Sequence, residues 1–213
     1  MGFLSILIIM LAGYLLGSIP VGFLLARAKG IDIRQHGSGN IGATNVFRTL
    51  GKGYGIFVFL CDTLKGVFAV ILGEQIYIHL HGVAAGASIN PVLAGILGGV
   101  AGILGHNFPV WLKFKGGKGV ATSLGVVIGL VPLAAVISFA IWAIVLLTSR
   151  YVSLASIIAA IAVPVIVAFT ASSAEKTPLL VFTCLAALLI VLRHKANIQR
   201  LLNGTENRFK KKK

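Results

Sequence analysis

Glycines and hydrogen-bond donors are concentrated in residues 37–48, which read Gly-Ser-Gly-Asn-Ile-Gly-Ala-Thr-Asn-Val-Phe-Arg. Glycines let backbone N–H groups approach an anion, and Arg48 can grip a phosphate through two parallel hydrogen bonds. The glycines match G-x-G-x-x-G, but a dinucleotide site needs a preceding strand, and an apolar helix precedes this segment. The alternative is a flexible polar loop between two helices. We predict that the segment binds a phosphorylated ligand through Gly37, Ser38, Gly39, Asn40, Thr44, Asn45 and Arg48.

A second glycine-rich segment, residues 115–122, reads Lys-Gly-Gly-Lys-Gly-Val-Ala-Thr and directly precedes another apolar run. It is not a Walker A loop, because no Gly lies five positions before Gly117 and no Ser or Thr follows Lys118. Free N–H groups, a positive helix end and two ammonium groups can still converge on one anion. Membrane-surface anchoring would explain the lysines but not the glycines. We predict a phosphate site formed by Lys115, Gly116, Gly117, Lys118 and Gly119.

Two further helix boundaries carry polar side chains. After the last apolar run, His194 and Asn197 are three residues apart, so a short helix at the membrane surface would present both to the bundle. At the other boundary, Arg150 can anchor the chain to the membrane surface and Ser153 can donate near a helix N-terminus. We include Arg150 and Ser153 among the substrate-binding residues.

Asp62 and Lys65 lie within an apolar run and share one helical face. Charged groups at membrane depth cost enough free energy to be candidates for function, although these two can also pair with each other. We predict a structural role for Asp62. Cys61 and Cys184 lie in apolar stretches, where a thiol behaves as a small hydrophobe, so we expect neither a disulfide nor a metal site.

The composition indicates a protein solvated by lipid, since 57% of the 213 residues are hydrophobic and 11% are charged. A helix that crosses the hydrocarbon needs roughly 20 apolar residues. The first run has no basic start and no small-residue cleavage pattern, so we expect it to be retained. The clear spans are Phe3–Leu25, Tyr54–Ile78, Val92–Trp111, Val152–Phe169 and Pro178–Leu192.

The charge distribution predicts the orientation. The formal net charge is +14, and the Lys and Arg residues lie between the apolar runs. This pattern favours anionic lipid head groups and phosphorylated substrates over nucleic acid. Segments 26–53, 113–118 and 193–213 and Arg150 are basic, whereas 79–91 and 130–133 contain no Lys or Arg. Splitting the run 120–148 at Pro132 places every basic segment in the cytoplasm.

We therefore predict an all-α integral membrane protein with a bundle of about seven transmembrane helices. The N-terminus lies outside and the C-terminus in the cytoplasm, and the fourth and fifth helices are short. The chain forms a single domain, 1–213, with cytoplasmic motif segments 26–53, 113–122 and 193–213.

The motifs at 37–48, 115–122 and 194–206 resemble, in sequence, order and spacing, those of the bacterial acyl-phosphate:glycerol-3-phosphate acyltransferases, the PlsY family. The resemblance covers nearly the whole chain. It implies transfer of an acyl group from long-chain acyl phosphate to glycerol 3-phosphate, giving lysophosphatidic acid and inorganic phosphate in the first step of phospholipid synthesis. It also implies a bacterial inner-membrane location, a cytoplasmic active site and no cofactor. Membrane lipids and the enzyme that makes acyl phosphate are the further partners it suggests.

The resemblance also implies residue roles. The 115–119 turn would bind glycerol 3-phosphate, and Ser38, Asn45 and Arg48 would orient the reacting groups and the acyl phosphate. His194 and Asn197 would complete the pocket, and Glu206 would hold the tail in place. The predicted catalytic set is Ser38, Arg48, Lys118, His194 and Asn197.

Other transferase chemistries lack their residues here. No histidine is followed by Asp after four intervening residues, and Asp32 and Asp62 are the only aspartates, too few for a metal-binding cluster. We favour catalysis by positioning and charge stabilisation, with the hydroxyl proton passing to a substrate phosphate. His194 as general base is the rival mechanism. The rival functions are a transporter for a small phosphorylated anion and a noncatalytic lipid-binding scaffold.

Overall fold

In the computed structural model, which describes residues 2–81 and 91–209, these residues form helices and connecting segments and contain no strand. The chain divides into two compact units, Met1–Leu130 and Val131–Lys213. The all-α fold predicted from the sequence is confirmed. The single domain stays a prediction.

The described residues of the first unit form six α-helices. They are α1 Phe3–Ser18, α2 Val21–Ala28, α3 Ala43–Leu50, α4 Lys52–His81, α5 Pro91–Asn107 and α6 Val120–Leu130. The predicted span Phe3–Leu25 lies within one membrane-length apolar segment, Phe3–Ala28, but its helix is interrupted between α1 and α2 at Ile19 and Pro20. Proline has no N–H to donate and clashes with the preceding turn, so it ends α1 within an otherwise apolar run.

Glycines let the helices of the first unit pack closely. Helix α5 packs against α1 and α4, and α4 also packs against α6. A Cβ atom on Gly17 would overlap the carbonyl of Gly102, and one on Gly125 would overlap the carbonyl of Thr63. Small residues are typical of helix contacts in membranes, where close backbone approach supplies much of the packing energy.

The second unit, as far as residue 209, forms four α-helices, α7 Pro132–Ser149, α8 Val152–Thr170, α9 Lys176–Arg193 and α10 Lys195–Leu202. Helix α8 packs against both α7 and α9. The indole N–H of Trp142 donates to the Ser156 hydroxyl across 3.3 Å and links α7 to α8. Helix α10 is the short helix that the tail predicted.

The described part of the chain has six helical segments long and apolar enough to cross a membrane, with α1 and α2 counted as one, and α6 is a shorter apolar helix. The predicted split at Pro132 is confirmed, since α6 ends at Leu130 and α7 begins at Pro132. Of the two helices expected to be short, α6 has 11 residues, but α7 has 18 and reaches full length. Residues 82–90, in the predicted outer segment 79–91, lie outside the described residues.

Candidate functional site

Asn45 organises the first glycine-rich loop. Its side-chain oxygen accepts from the Ser38 N–H across 2.8 Å. Its side-chain N–H groups donate to the carbonyls of Ile33, His36 and Asn40 at 3.2, 2.9 and 2.8 Å. Because Asn45 is 1% exposed and both ends of its amide bond to the loop backbone, it acts on that backbone, whereas the sequence predicted a contact with the substrate.

The glycines of this loop serve its conformation. Gly37 and Gly39 have φ angles of +58° and +70°, which side chains other than glycine rarely adopt. A Cβ atom on Gly37 would also overlap the side-chain oxygen of Asn45. The Asn40 side chain accepts from the Gly42 N–H across 2.8 Å, directly before α3. The loop is therefore an ordered turn rather than a flexible linker.

Ser38 and Arg48 are exposed at the surface of this loop and of α3, and Thr44 is half-buried in the first turn of α3. None of these three side chains takes part in the Asn45 hydrogen bonds that hold the loop. The loop carboxylate, Asp32, is bound by Arg34 at 2.6 Å and 2.9 Å. That hydrogen bond lowers the pKa of Asp32 to about 2, so this group is a poor proton acceptor near neutral pH.

The second glycine-rich turn folds back on the end of α5. The N–H of Lys115 donates to Leu112, that of Gly116 to Asn107 and that of Gly117 to His106, with N–O distances of 3.1, 3.2 and 3.0 Å. These three N–H groups are therefore not free, contrary to the expectation from the sequence.

Packing against α5 explains the glycines of this turn. A Cβ atom on Gly116 would overlap the His106 carbonyl and Pro109, and one on Gly117 would overlap the His106 ring. Gly119 has a φ angle of +79°. The sequence predicted that these glycines open the backbone to an anion. In the structure, the absence of a Cβ atom at Gly116 and Gly117 lets the turn lie against His106.

The second turn also carries two cationic side chains and leads directly into a helix N-terminus. Lys115 is exposed and Lys118 is half-buried, and α6 begins at Val120 immediately afterwards. The first N–H groups of a helix have no partner in their own helix and carry partial positive charge. An anion at this turn would therefore meet the α6 end and the lysines.

Several polar groups near this turn were missed by the sequence analysis. Asn107 is fully buried, and neither atom of its side-chain amide has a hydrogen-bond partner among the described residues. It lies against Gly119. The hydroxyls of Thr122 and Ser123, in the first turn of α6, are buried and equally unpartnered within the described ranges. The sequence offered one indication of Asn107, an amide side chain placed just before the Phe108-Pro109 turn.

The first loop and the second turn lie at the same end of the first unit. Leu112, which precedes the turn, is buried in the same apolar cluster as Ile33, Ile41 and Val46. Asp62 and Lys65 form the ion pair that the sequence allowed, with 2.8 Å between Lys65 Nζ and Asp62 Oδ1. His106 lies 3.6 Å from the same Asp62 oxygen, a contact that residue spacing did not predict.

In the second unit, the carboxylate of Glu206 accepts hydrogen bonds from three polar side chains. Ser153 and the Asn197 amide donate to its Oε1 at 2.9 and 2.7 Å, and Arg200 donates to its Oε2 at 2.7 Å. Burial opposes ionisation of Glu206, but the bonds from Asn197, Arg200 and Ser153 outweigh it and lower the pKa of the carboxyl. The single O–H of Ser153 is used here, where the sequence predicted donation to a substrate.

His194 and Arg150 lie at helix ends of the same unit. His194 is 3% exposed, and its Nδ1 lies 2.8 Å from the Ile190 carbonyl. Because a carbonyl can only accept, Nδ1 carries the hydrogen, and in the neutral ring Nε2 is the basic nitrogen. Arg150 is exposed and ends α7 with a φ angle of 64°, and its carbonyl accepts from the Phe209 N–H.

Comparison with known proteins identifies the family. The glycerol-3-phosphate acyltransferase family matches residues 7–204. A glycerol-3-phosphate acyltransferase from Geobacter sulfurreducens is 48% identical over 97% of this chain and 99% of its own length. One from Geobacter metallireducens is 51% identical over 95% of this chain and 97% of its own. The chain belongs to the glycerol-3-phosphate acyltransferase family.

The solved structures of this family agree in fold. Two crystal structures of PlsY, an integral membrane glycerol 3-phosphate acyltransferase, are similar to this chain. Each is 43% identical to it in sequence, and the match covers 97% of this chain and 96% of the PlsY chain. The glycerol 3-phosphate form has a TM-score of 0.83 and the lysophosphatidic acid form 0.80. The family resemblance of the three motifs is confirmed, and the prediction of an integral membrane protein is confirmed as well.

The glycerol-3-phosphate acyltransferase match spans most of the three motifs. It includes the loop 37–48, the turn 115–119 and both His194 and Asn197. Glu206 lies two residues beyond its end. The assignment of Glu206 to the tail therefore depends on its contacts with Ser153, Asn197 and Arg200.

Proposed function

We propose that this chain is an acyl-phosphate:glycerol-3-phosphate O-acyltransferase. The C1 hydroxyl oxygen of glycerol 3-phosphate bonds to the acyl carbonyl carbon, and the bond from that carbon to the phosphate oxygen breaks. The products are 1-acyl-glycerol 3-phosphate (lysophosphatidic acid) and inorganic phosphate. The hydroxyl proton passes to an oxygen of a substrate phosphate.

One observation carries the proposal. Family members closely similar along the whole chain have been solved in a glycerol 3-phosphate form and a lysophosphatidic acid form. These molecules are the acceptor and the product of a single acyl transfer. The structure of this chain supports the same chemistry, because it presents lysines and a positive helix end at one turn of an apolar bundle.

The first unit would bind the anions. We assign glycerol 3-phosphate to the second turn, where Lys115, Lys118 and the start of α6 provide positive charge. Ser38 and Arg48, which are exposed on the first loop, would hold the acyl phosphate. The mixed anhydride is already activated, so holding both substrates in the reactive geometry can lower the barrier substantially.

His194 and Asn197 would orient substrate groups rather than accept the proton. Asn197 is held by Glu206, and the His194 ring is held by the Ile190 carbonyl. Both side chains are buried, which suits fixed hydrogen-bonding groups. Glu206 acts on the reaction through Asn197 and is a positioning residue.

We also propose that the motifs face the cytoplasm of a bacterial inner membrane, because this orientation collects the basic segments on one side. Single cysteines at Ser38, Lys118 and Arg150 should resist an impermeant thiol reagent in intact cells and react in inverted vesicles. A cysteine at Ala85, which lies outside the described residues, should react from outside. Labelling at Lys118 in intact cells would overturn the orientation.

The activity is tested with purified protein in detergent and in proteoliposomes. Release of inorganic phosphate that needs both acyl phosphate and glycerol 3-phosphate supports the enzyme. Glycerol 3-phosphate flux across the liposomes without chemistry would instead support the transporter, and binding of lipid without either would support a scaffold. Acyl thioesters tested in place of acyl phosphate should give no product, and a preference for them would overturn the proposed donor.

A further inference from the structure

Three ionisable side chains from two helices are buried together in the first unit. Asp62, Lys65 and His106 are 3, 5 and 6% exposed. Asp62 Oδ1 lies 2.8 Å from Lys65 Nζ and 3.6 Å from His106 Nδ1. Burying charges costs much free energy, even when they are paired, so such groups in membrane helices usually have a function.

Lys65 extends this cluster to the break in the first span. Its ammonium group donates to the Ile19 carbonyl across 3.1 Å, where the chain leaves α1 and turns into α2. The same region lines a small polar recess with Ser18, whose buried hydroxyl has no hydrogen-bond partner in the described ranges. The cluster thus links the α1–α2 break, α4 and α5.

His106 extends the cluster to the second glycine-rich turn. Its backbone carbonyl accepts from the Gly117 N–H across 3.0 Å. Its ring faces Asp62 through Nδ1, and Nε2 lies so close to Gly117 that a Cβ atom there would overlap it. One side chain therefore separates a buried carboxylate from the backbone of the residue that precedes Lys118.

We propose that Asp62 and His106 are positioning residues for anion binding: Asp62 fixes the His106 ring, and His106 fixes Gly117 and hence the neighbouring Lys118. The inference depends on the proposed function, in which this turn binds glycerol 3-phosphate. A misplacement of about 1 Å at a reacting site can cost as much as 100-fold in rate, so a support of this kind has a measurable effect. The competing explanation is that the cluster only stabilises the helix bundle.

The test compares variants that remove one contact each. Asp62→Asn removes the carboxylate charge, and His106→Gln loses the nitrogen that faces Asp62. His106→Asn keeps an amide near the Nδ1 position but loses the atoms that lie against Gly117, so it tests the second contact. Glu74→Gln is the matched control, because Glu74 is a half-buried carboxylate on the same helix that contacts α5 at Gly95, far along the helix from Asp62.

Binding of glycerol 3-phosphate to the purified full-length protein is measured by calorimetry, with thermal unfolding and the KM of each substrate measured in parallel. Asp62→Asn and His106→Gln should raise the Kd and KM for glycerol 3-phosphate about tenfold while changing the KM for acyl phosphate less than about twofold. His106→Asn should weaken glycerol 3-phosphate binding to a similar extent, because the contact with Gly117 is lost, and Glu74→Gln should bind like the wild type.

The outcomes separate the two proposals. A lower unfolding temperature with unchanged glycerol 3-phosphate affinity in folded variants would mean that the cluster is only structural, and it would overturn this inference alone. If Asp62→Asn does not fold, the glycerol 3-phosphate affinity of His106→Gln tests the same contact between Asp62 and His106. Wild-type protein that binds glycerol 3-phosphate without forming product would overturn the proposed function and leave this test intact. Failure of the wild type to bind it would overturn both.

Discussion

The side-chain amide of Asn197 donates to the carboxylate of Glu206 across 2.7 Å, which ties α10 to the segment that follows it. Ser153 of α8 donates to the same oxygen. The tail is therefore fixed to two helices through one ionised group. Replacing that group should affect both the stability of the tail and the orientation of Asn197.

Glu206→Gln should lower the stability of the folded protein near neutral pH. Glutamine can still accept from Ser153 and Asn197, but it loses the charge-assisted bond from Arg200, and such bonds contribute roughly 1.5–3 kcal/mol. Because the folded-state pKa of Glu206 is lowered, its contribution is present above the ordinary glutamate pKa and is lost as the pH falls through the folded-state pKa.

Thermal unfolding of wild type and Glu206→Gln, measured in detergent from pH 7 to pH 3, checks this prediction. The difference between them should be largest near pH 7 and shrink below about pH 4.3. A difference that stays constant over this range would show that the Glu206 charge does not contribute.

Gly117→Ala should disturb the second turn, because the new Cβ atom would overlap the His106 ring. Overpacking of this kind typically costs about 1–3 kcal/mol, through displacement of the ring or of the turn. We expect the KM for glycerol 3-phosphate to rise at least severalfold. Gly53→Ala is the control, because a Cβ atom at Gly53 would meet open space. Wild-type kinetics in Gly117→Ala would show that the turn tolerates a side chain.

Lys118→Ala should raise the KM for glycerol 3-phosphate far more than that for acyl phosphate. A charge-assisted contact contributes roughly 1.5–3 kcal/mol, which corresponds to about tenfold or more in affinity. Lys113→Ala, which removes an exposed lysine outside the predicted site, should change neither constant by more than about twofold. If Lys118→Ala raised only the KM for acyl phosphate, glycerol 3-phosphate would have to be assigned to the first loop.

His194 should orient substrate without accepting a proton. His194→Asn keeps an amide N–H near the Nδ1 position that donates to Ile190, and His194→Gln places an amide near Nε2. Both should retain appreciable turnover, because an amide can replace a hydrogen bond but cannot act as a base. Steady-state kinetics across a pH series check this. A loss of about 100-fold or more in both folded variants, together with loss of the acidic limb, would make His194 the general base.

Apolar length and charge placement predicted much of the fold from the sequence. The split at Pro132 followed from the basic segments, and in the structure α6 ends at Leu130 and α7 begins at Pro132. The break at Pro20 was missed although the proline was visible, because the run around it is long enough for a continuous span. Burial by neighbouring helices lets α6 be short, and no local pattern reports that burial.

The candidate site was predictable as a set of segments but not as a set of contacts. Glycine and lysine spacing located the 115–119 turn, yet the packing of Gly117 on His106 depends on a backbone fold that residue types do not encode locally. Asn45 was singled out as a donor, but its three loop carbonyl partners could not be read from spacing. His106 approaches Asp62 only through the packing of α4 on α5.

Acyl transfer from acyl phosphate to glycerol 3-phosphate requires one lysophosphatidic acid for each inorganic phosphate released, and this ratio can be measured. Purified protein is given both substrates, and lysophosphatidic acid is quantified by mass spectrometry alongside inorganic phosphate. We predict equal amounts of the two products, formed only when both substrates are present and strongly reduced in Lys118→Ala at low glycerol 3-phosphate. Phosphate released without lysophosphatidic acid would rule out acyl transfer, and lysophosphatidic acid formed only from an acyl thioester would rule out acyl phosphate as the donor.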